Sequence, residues 1–89
     1  MLKIVRSANP DAVVFSLSGR IDLEHSEELQ AGFASETLPI MLDMREVRRV
    51  DREVVATLAR WNSEGIKFLN CAAYLSKWIS RARNQKTPL

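Results

Sequence analysis

The sequence predicts an α/β fold: a small mixed four-stranded sheet covered by helices, in the order β-β-α-β-α-β-α. Three observations predict it. Residues 2–6 and 12–18 alternate apolar and polar on either side of Ala8-Asn9-Pro10-Asp11, whose residue types form turns, so the chain begins as a hairpin. The stretch from Pro39 to Trp61 passes from an apolar run, Ile40 to Met44, through charged residues into a helical pattern at Asp51. A further apolar run follows at Ile66, Phe68 and Leu69. Strand, helix and strand in succession imply a parallel pair, and such crossovers are right-handed in about 98% of cases, which lays the helix over the sheet.

Each element has its own signals. Gly19 is expected to end the second strand, and Asp22 to cap a helix that turns Leu23, Leu29 and Phe33 inward and leaves Glu24, Glu27 and Glu28 in water. Gly32 to Pro39 is read as a connection. The near-continuous apolar character of Ile40 to Met44 predicts a central strand. At Asp51 a carboxylate can accept from the free N–H groups of a first helical turn, and Glu53 adds negative charge at the positive end of the dipole. Val54, Val55, Leu58 and Trp61 then form one apolar stripe, with Arg52, Thr57 and Arg60 largely outside it. Asn62-Ser63-Glu64-Gly65 stops that helix, with Gly65 in the left-handed position. Leu75, Trp78, Ile79 and Ala82 space out a last core-facing helix whose Lys77, Arg81 and Arg83 approach its carboxyl end. The expected domain spans residues 1–83, and 84–89, with Pro88, is expected to be a flexible tail.

A chain of 89 residues is sized for one domain that buries about 60 to 65% of its unfolded surface, with little room for a deep active site. Its apolar runs are far shorter than the roughly 18 residues of a membrane span. The opening Met1 to Arg6 lacks a secretory pattern, so the expected location is cytoplasmic. The single cysteine, Cys71, has no internal disulfide partner and is read as a small buried hydrophobe. Charge is split between the halves: residues 1–44 carry three basic and seven acidic side chains, residues 45–89 ten and four. A solvated, internally paired face accounts for that split, and nucleic acid is disfavoured as a partner.

Catalytic constellations are missing. With three glycines, one histidine and one cysteine, the chain contains no phosphate-binding glycine loop, no nucleophile elbow and no Cys/His cluster. His25, in the first turn of the Asp22 helix, has no second histidine to complete a metal site and is expected to be exposed. The carboxylate pairs Glu27/Glu28 and Asp51/Glu53 stand in first helical turns, where capping and solvation explain them. The expectation is a protein that is not an enzyme and uses no cofactor and no metal.

With these segments laid out, the chain resembles the STAS domain, the module named for sulphate transporters and anti-sigma factor antagonists. The resemblance is carried by Val14 to Asp22 (VFSLSGRID), by Ile40 to Met44, by Val47 to Leu58 and by Phe68 to Cys71, in order and over nearly the whole chain. In the family's bacterial regulators the loop before the second helix reads Asp-Ser-Ser/Thr-Gly, and the serine after the aspartate is phosphorylated by an anti-sigma factor that is also a kinase. Here the resemblance aligns Asp51 with that aspartate, Arg52 with the phosphoacceptor, Glu53 with the second hydroxyl and Val54 with the glycine. A guanidinium does not serve as that phosphoacceptor, so the charge at this point is expected to be fixed.

The expected function is a non-catalytic interaction module similar to an anti-sigma factor antagonist. Its partner would be a kinase-like anti-sigma factor, met through Asp22, Arg48, Arg49, Asp51, Arg52 and Glu53. Two alternatives stay open. In one, the chain is a STAS-like subunit paired with the ATPase of a lipid-transport ABC complex. In the other, Arg48, Arg49 and Arg52 hold the phosphate of a nucleotide or small ligand at the helix start, a reading that Asp51 and Glu53 oppose because they already occupy its positive end.

Overall fold

A computed structural model describes residues 2–84. Seven elements follow one another: β1 (Leu2–Ala8), β2 (Val13–Ile21), α1 (Leu23–Ala34), β3 (Ile40–Val50), α2 (Arg52–Ser63), β4 (Lys67–Leu69) and α3 (Ala73–Asn84). The four strands make one sheet in the order β1-β2-β3-β4, the first pair antiparallel and the next two parallel. This is the mixed α/β architecture that the sequence predicts, with β3 inside the sheet. Asn84, expected to open the flexible tail, instead closes α3, and the rest of that tail, 85–89, lies outside the described residues.

The hairpin closes on Asn9. Its Oδ1 accepts from the N–H groups of Asp11 at 2.9 Å and Ala12 at 2.8 Å, and its own N–H donates to the Ala12 carbonyl at 3.0 Å. An asparagine side chain thus imitates a backbone turn, and Pro10 needs no donor there. From Val13 onward, alternate residues of β2 (Val13, Phe15 and Leu17) are buried, and Val14, Ser16 and Ser18 between them are half-buried.

On the buried face the core is layered by three aromatic rings. Phe15 of β2 meets Phe33 of α1 edge-to-face at 5.2 Å, and Phe33 meets Trp61 of α2 in the same way at 4.9 Å. Such contacts add about 0.5–1.5 kcal/mol each to the burial of the rings themselves. The Trp61 indole N–H donates to Gln30 Oε1 at 3.3 Å, a carbonyl that also accepts from Arg60 Nη2. Val54, Val55, Leu58 and Trp61 are all buried, as their stripe predicts, and Ala59 joins them. Gly65, at φ +107, takes the backbone conformation after α2 that the stop signal required.

Several boundaries differ from expectation, each for a physical reason. The charged residues after Met44, expected to be a loop, continue β3 to Val50: Glu46 pairs with Ser18, Val47 with Gly19, Arg49 with Arg20 and Val50 with Ile21. Backbone pairing outweighs side-chain polarity here. Two register shifts each place an extra residue on β3, one between Ser16 and Ser18, the other between Gly19 and Arg20. Gly19 therefore does not end β2; at φ +103 it sits beside the second shift and lets the strand run on to Ile21. Helix α1 continues through Gly32 to Ala34.

Leu23 and Trp78, expected in the core, are exposed. Leu23 is the first residue of α1, ahead of the turn at which Leu29 and Phe33 reach the sheet, and the α3 face that meets the core is filled by Leu75 and Ile79, with Ala82 partly buried. Cys71 is half-buried against the core rather than enclosed, and burial raises its thiol pKa.

Candidate functional site

Strands β2 and β3 run parallel, so their carboxyl ends open at the same end of the sheet, into α1 and α2 respectively. In open α/β sheets that end is where loops and helix starts converge on a partner or ligand. The Asp51 N–H donates to the Ile21 carbonyl at 3.0 Å and ties the two strand ends together.

Asp22 caps α1 as expected. Its Oδ1 accepts from the His25 N–H at 2.8 Å and lies 2.6 Å from His25 Nδ1. The bond from the His25 backbone is the largest cause holding the Asp22 carboxyl below the usual carboxylate range. His25 is accordingly not the free exposed side chain expected of it, but a half-buried ring held against its own helix cap.

Asp51 behaves differently. It occupies the N-cap position of α2, yet its side chain makes no capping hydrogen bond. The carboxylate is engaged by Arg20, with Nε donating to Oδ1 at 2.8 Å and Nη2 to Oδ2 at 2.7 Å. The expectation of Asp51 as a side-chain cap is thus corrected: a charge-assisted, two-pronged bond to a guanidinium outcompetes a single bond to a backbone N–H. The Arg20 bonds pull the Asp51 carboxyl below its ordinary pKa, and the positive charge of Arg49 acts in the same direction. Arg20 and Arg49 are register partners across β2 and β3. Like charges at such positions repel, and the Asp51 carboxylate feels the field of both.

The expected site residues divide accordingly. Arg48 and Arg49 lie at the end of β3 rather than in a loop, and Arg52 and Glu53 form the first turn of α2. Together with Asp51 they line one shallow groove, which Arg20, Tyr74 and Trp78 complete. Asp22 does not line that groove; it stands at the adjoining helix start, close enough for its charge to act on Arg20 and Asp51. Arg48, Arg49 and Arg52 are exposed and make no ion pair with any described carboxylate. Of the internal pairing expected of the charged halves, this groove holds the Arg20–Asp51 pair, and the three arginines of the basic half stand outside that pair.

Sequence reasoning missed Arg20, Tyr74 and Trp78 as members of the site. Arg20 has no local signal, because its partner is 31 residues away. The other two had one: Tyr74 and Trp78 are four residues apart on a helix and so share a face, offset by one position from Leu75 and Ile79. Their rings meet edge-to-face at 5.5 Å, with Tyr74 47% and Trp78 42% exposed.

No helix among the described residues is long and apolar enough to cross a membrane. No group of three or more His, Cys, Asp or Glu among them is placed to hold a metal ion. No curated protein matches the chain. A family model described as "Mlab, STAS domain" matches residues 4–67, from β1 to the first residue of β4, a range that takes in Arg20, Asp22 and the whole junction of β3 and α2 from Arg48 to Glu53. With that match over most of its length and a sheet and helix order to go with it, the chain belongs to the STAS domain family, a family of protein-interaction and regulatory modules.

Proposed function

We propose that the protein is a non-catalytic interaction module that docks on a protein partner through the face formed by the end of β3 and the first turn of α2. The observation that carries this reading is the groove itself: Arg48, Arg49 and Arg52 stand exposed without a described carboxylate partner, around an aspartate that Arg20 already holds. Guanidinium groups presented in this way suit planar bidentate recognition of carboxylates, and arginine, tyrosine and tryptophan are the residue types that dominate interface energies.

Association through this face is constitutive at the helix start. None of the six residues from Arg48 to Glu53 carries a hydroxyl, and the family resemblance aligns Arg52 with the serine that the family's regulators modify. Such a module resembles an anti-sigma factor antagonist in its mode of docking and lacks its phosphorylation switch. The unswitched face together with the exposed aromatic pair beside it also favours a second reading, in which the partner is a transporter ATPase and the chain a standing subunit of its complex.

Co-expression with the protein encoded beside its gene tests both. Arg52→Glu and Arg48→Glu are expected to lower recovery of the partner on the order of tenfold, and Lys3→Glu on the opposite edge strand to leave it unchanged. Undiminished recovery with the arginine variants overturns the docking face. Incubation of the complex with ATP is expected to leave the α2 region unmodified; phosphate on Thr57 contradicts the constitutive reading. The identity of the recovered protein, kinase-like or ATPase, separates the two partners.

A further inference from the structure

Helix α3 carries two stripes at the same spacing, one position apart. Leu75, Ile79 and Ala82 turn toward the core, the first two buried and the third partly so. Tyr74, Trp78 and Arg81, also at i, i+4 and i+7, are exposed. The core face of α3 is filled without the second stripe. That stripe also lies beyond residues 4–67, so nothing in the family match accounts for it.

Two grooves adjoin along this stripe. One is the groove at the start of α2, and the other runs between α2 and α3 past Val55 and Arg81; Arg52 and Trp78 line both. Five arginines and two carboxylates line the pair, a surplus of three positive charges. Of the arginines, only Arg20 has an ion-pair partner among the described residues. Arg48, Arg49, Arg52 and Arg81 thus line the two grooves beside the exposed rings with no ion-pair partner among the described residues.

We infer that the Tyr74, Trp78 and Arg81 face of α3, continuous with Arg52, is a docking surface for an acidic segment of a partner protein. Carboxylates of that segment meet the arginines, and an apolar side chain seats against Trp78. The inference rests on the docking reading above and extends it by a second helix and by the chemistry of the occupant. Charge complementarity selects an acidic occupant over a basic one. The grooved shape and the presence of Asp51 and Glu53 within it favour a polypeptide over an anionic lipid surface, whose closely spaced charges would crowd both carboxylates.

Selection of phage-displayed random peptides on the immobilised full chain tests this. The expected result is enrichment of sequences that combine Asp or Glu with an aliphatic or aromatic residue. Their affinity should fall on the order of tenfold for Trp78→Ala, Arg81→Glu and Arg52→Glu, and should fall with added salt. Trp78 and Arg81 are exposed, so circular dichroism of those two variants should match the parent chain. Peptides that lose binding to Arg52→Glu but not to Trp78→Ala or Arg81→Glu overturn the α3 surface and leave the α2 face standing. Peptides indifferent to all three variants overturn both. Failure to select any peptide, selection of basic ones, or Trp78-dependent sedimentation with phosphatidylglycerol vesicles in place of peptide binding also overturns the acidic-segment assignment.

Discussion

The Arg20 guanidinium grips the Asp51 carboxylate through two parallel bonds of 2.8 and 2.7 Å, across the carboxyl ends of two neighbouring parallel strands. Arg20 keeps half of its side-chain surface in water and Asp51 only 13%, so the pair forms a latch at the rim of the groove. It decides where Asp51 points, and therefore what the first turn of α2 presents.

The latch is open to dissection by mutation. Asp51→Ala leaves Arg20 and Arg49 opposed without an intervening carboxylate, and Arg20→Ala frees Asp51 to cap α2. Both are expected to lower the urea midpoint, Asp51→Ala more than Arg20→Ala. Arg20→Lys, which keeps the charge and loses the fork, should fall between Arg20→Ala and the parent chain. A double-mutant cycle on the pair should show a favourable coupling, and additive effects would contradict the latch.

Acid should weaken the fold in a defined direction. Asp51 is held below its ordinary pKa chiefly by the Arg20 side chain, Glu36 by the Arg6 side chain, Asp22 by the His25 backbone and Asp43 by the Arg45 backbone. In each case the unfolded chain binds protons more readily than the folded one. Their stabilisation is therefore complete above the unfolded carboxylate range, about pH 4, and is lost as pH falls through the lower folded values. Thermal melts across that window should show stability rising with pH, and Asp51→Asn should flatten part of the slope.

The two tryptophans should separate cleanly. Trp61 closes the aromatic chain of the core, and Trp61→Ala is expected to cost about 3–5 kcal/mol by chemical denaturation. Trp78 is 42% exposed and meets Tyr74 edge-to-face, and Trp78→Ala should cost less, about 0.5–1.5 kcal/mol. Acrylamide should quench the fluorescence of Trp61→Phe, which retains Trp78, more strongly than that of Trp78→Phe.

Gly65 offers a test of backbone rather than packing. A Cβ at this position would meet nothing within 4 Å, so the cost of Gly65→Ala arises only from its φ of +107. A loss of at least about 1 kcal/mol is expected. An unchanged midpoint would mean that the α2 stop does not need this conformation.

The elements whose evidence is local were legible in the sequence. Asn9 and Asp22 announce their turn and cap, Val54 to Trp61 their buried stripe, and Gly65 its stop, because each signal lies within a few residues of its effect. The end of β3 was not legible: Arg45 to Arg49 look like a loop by composition, and only pairing with β2 reveals a strand. The same limit hid the role of Arg20, whose partner is set by the register of two parallel strands. The helical spacing of Trp78 fits an apolar core stripe, but a stripe shifted by one position fits as well, and the burial of Leu75 and Ile79 decides between them.

The proposed partner surface runs along the end of β3, the start of α2 and the outer stripe of α3. Hydrogen-exchange mass spectrometry of the chain alone and in complex with the protein encoded beside its gene tests it most directly. Slowed exchange is expected on binding over residues 48–55 and 74–81, with β1 unchanged. Protection confined to β1 or to the exposed side of α1 would contradict it.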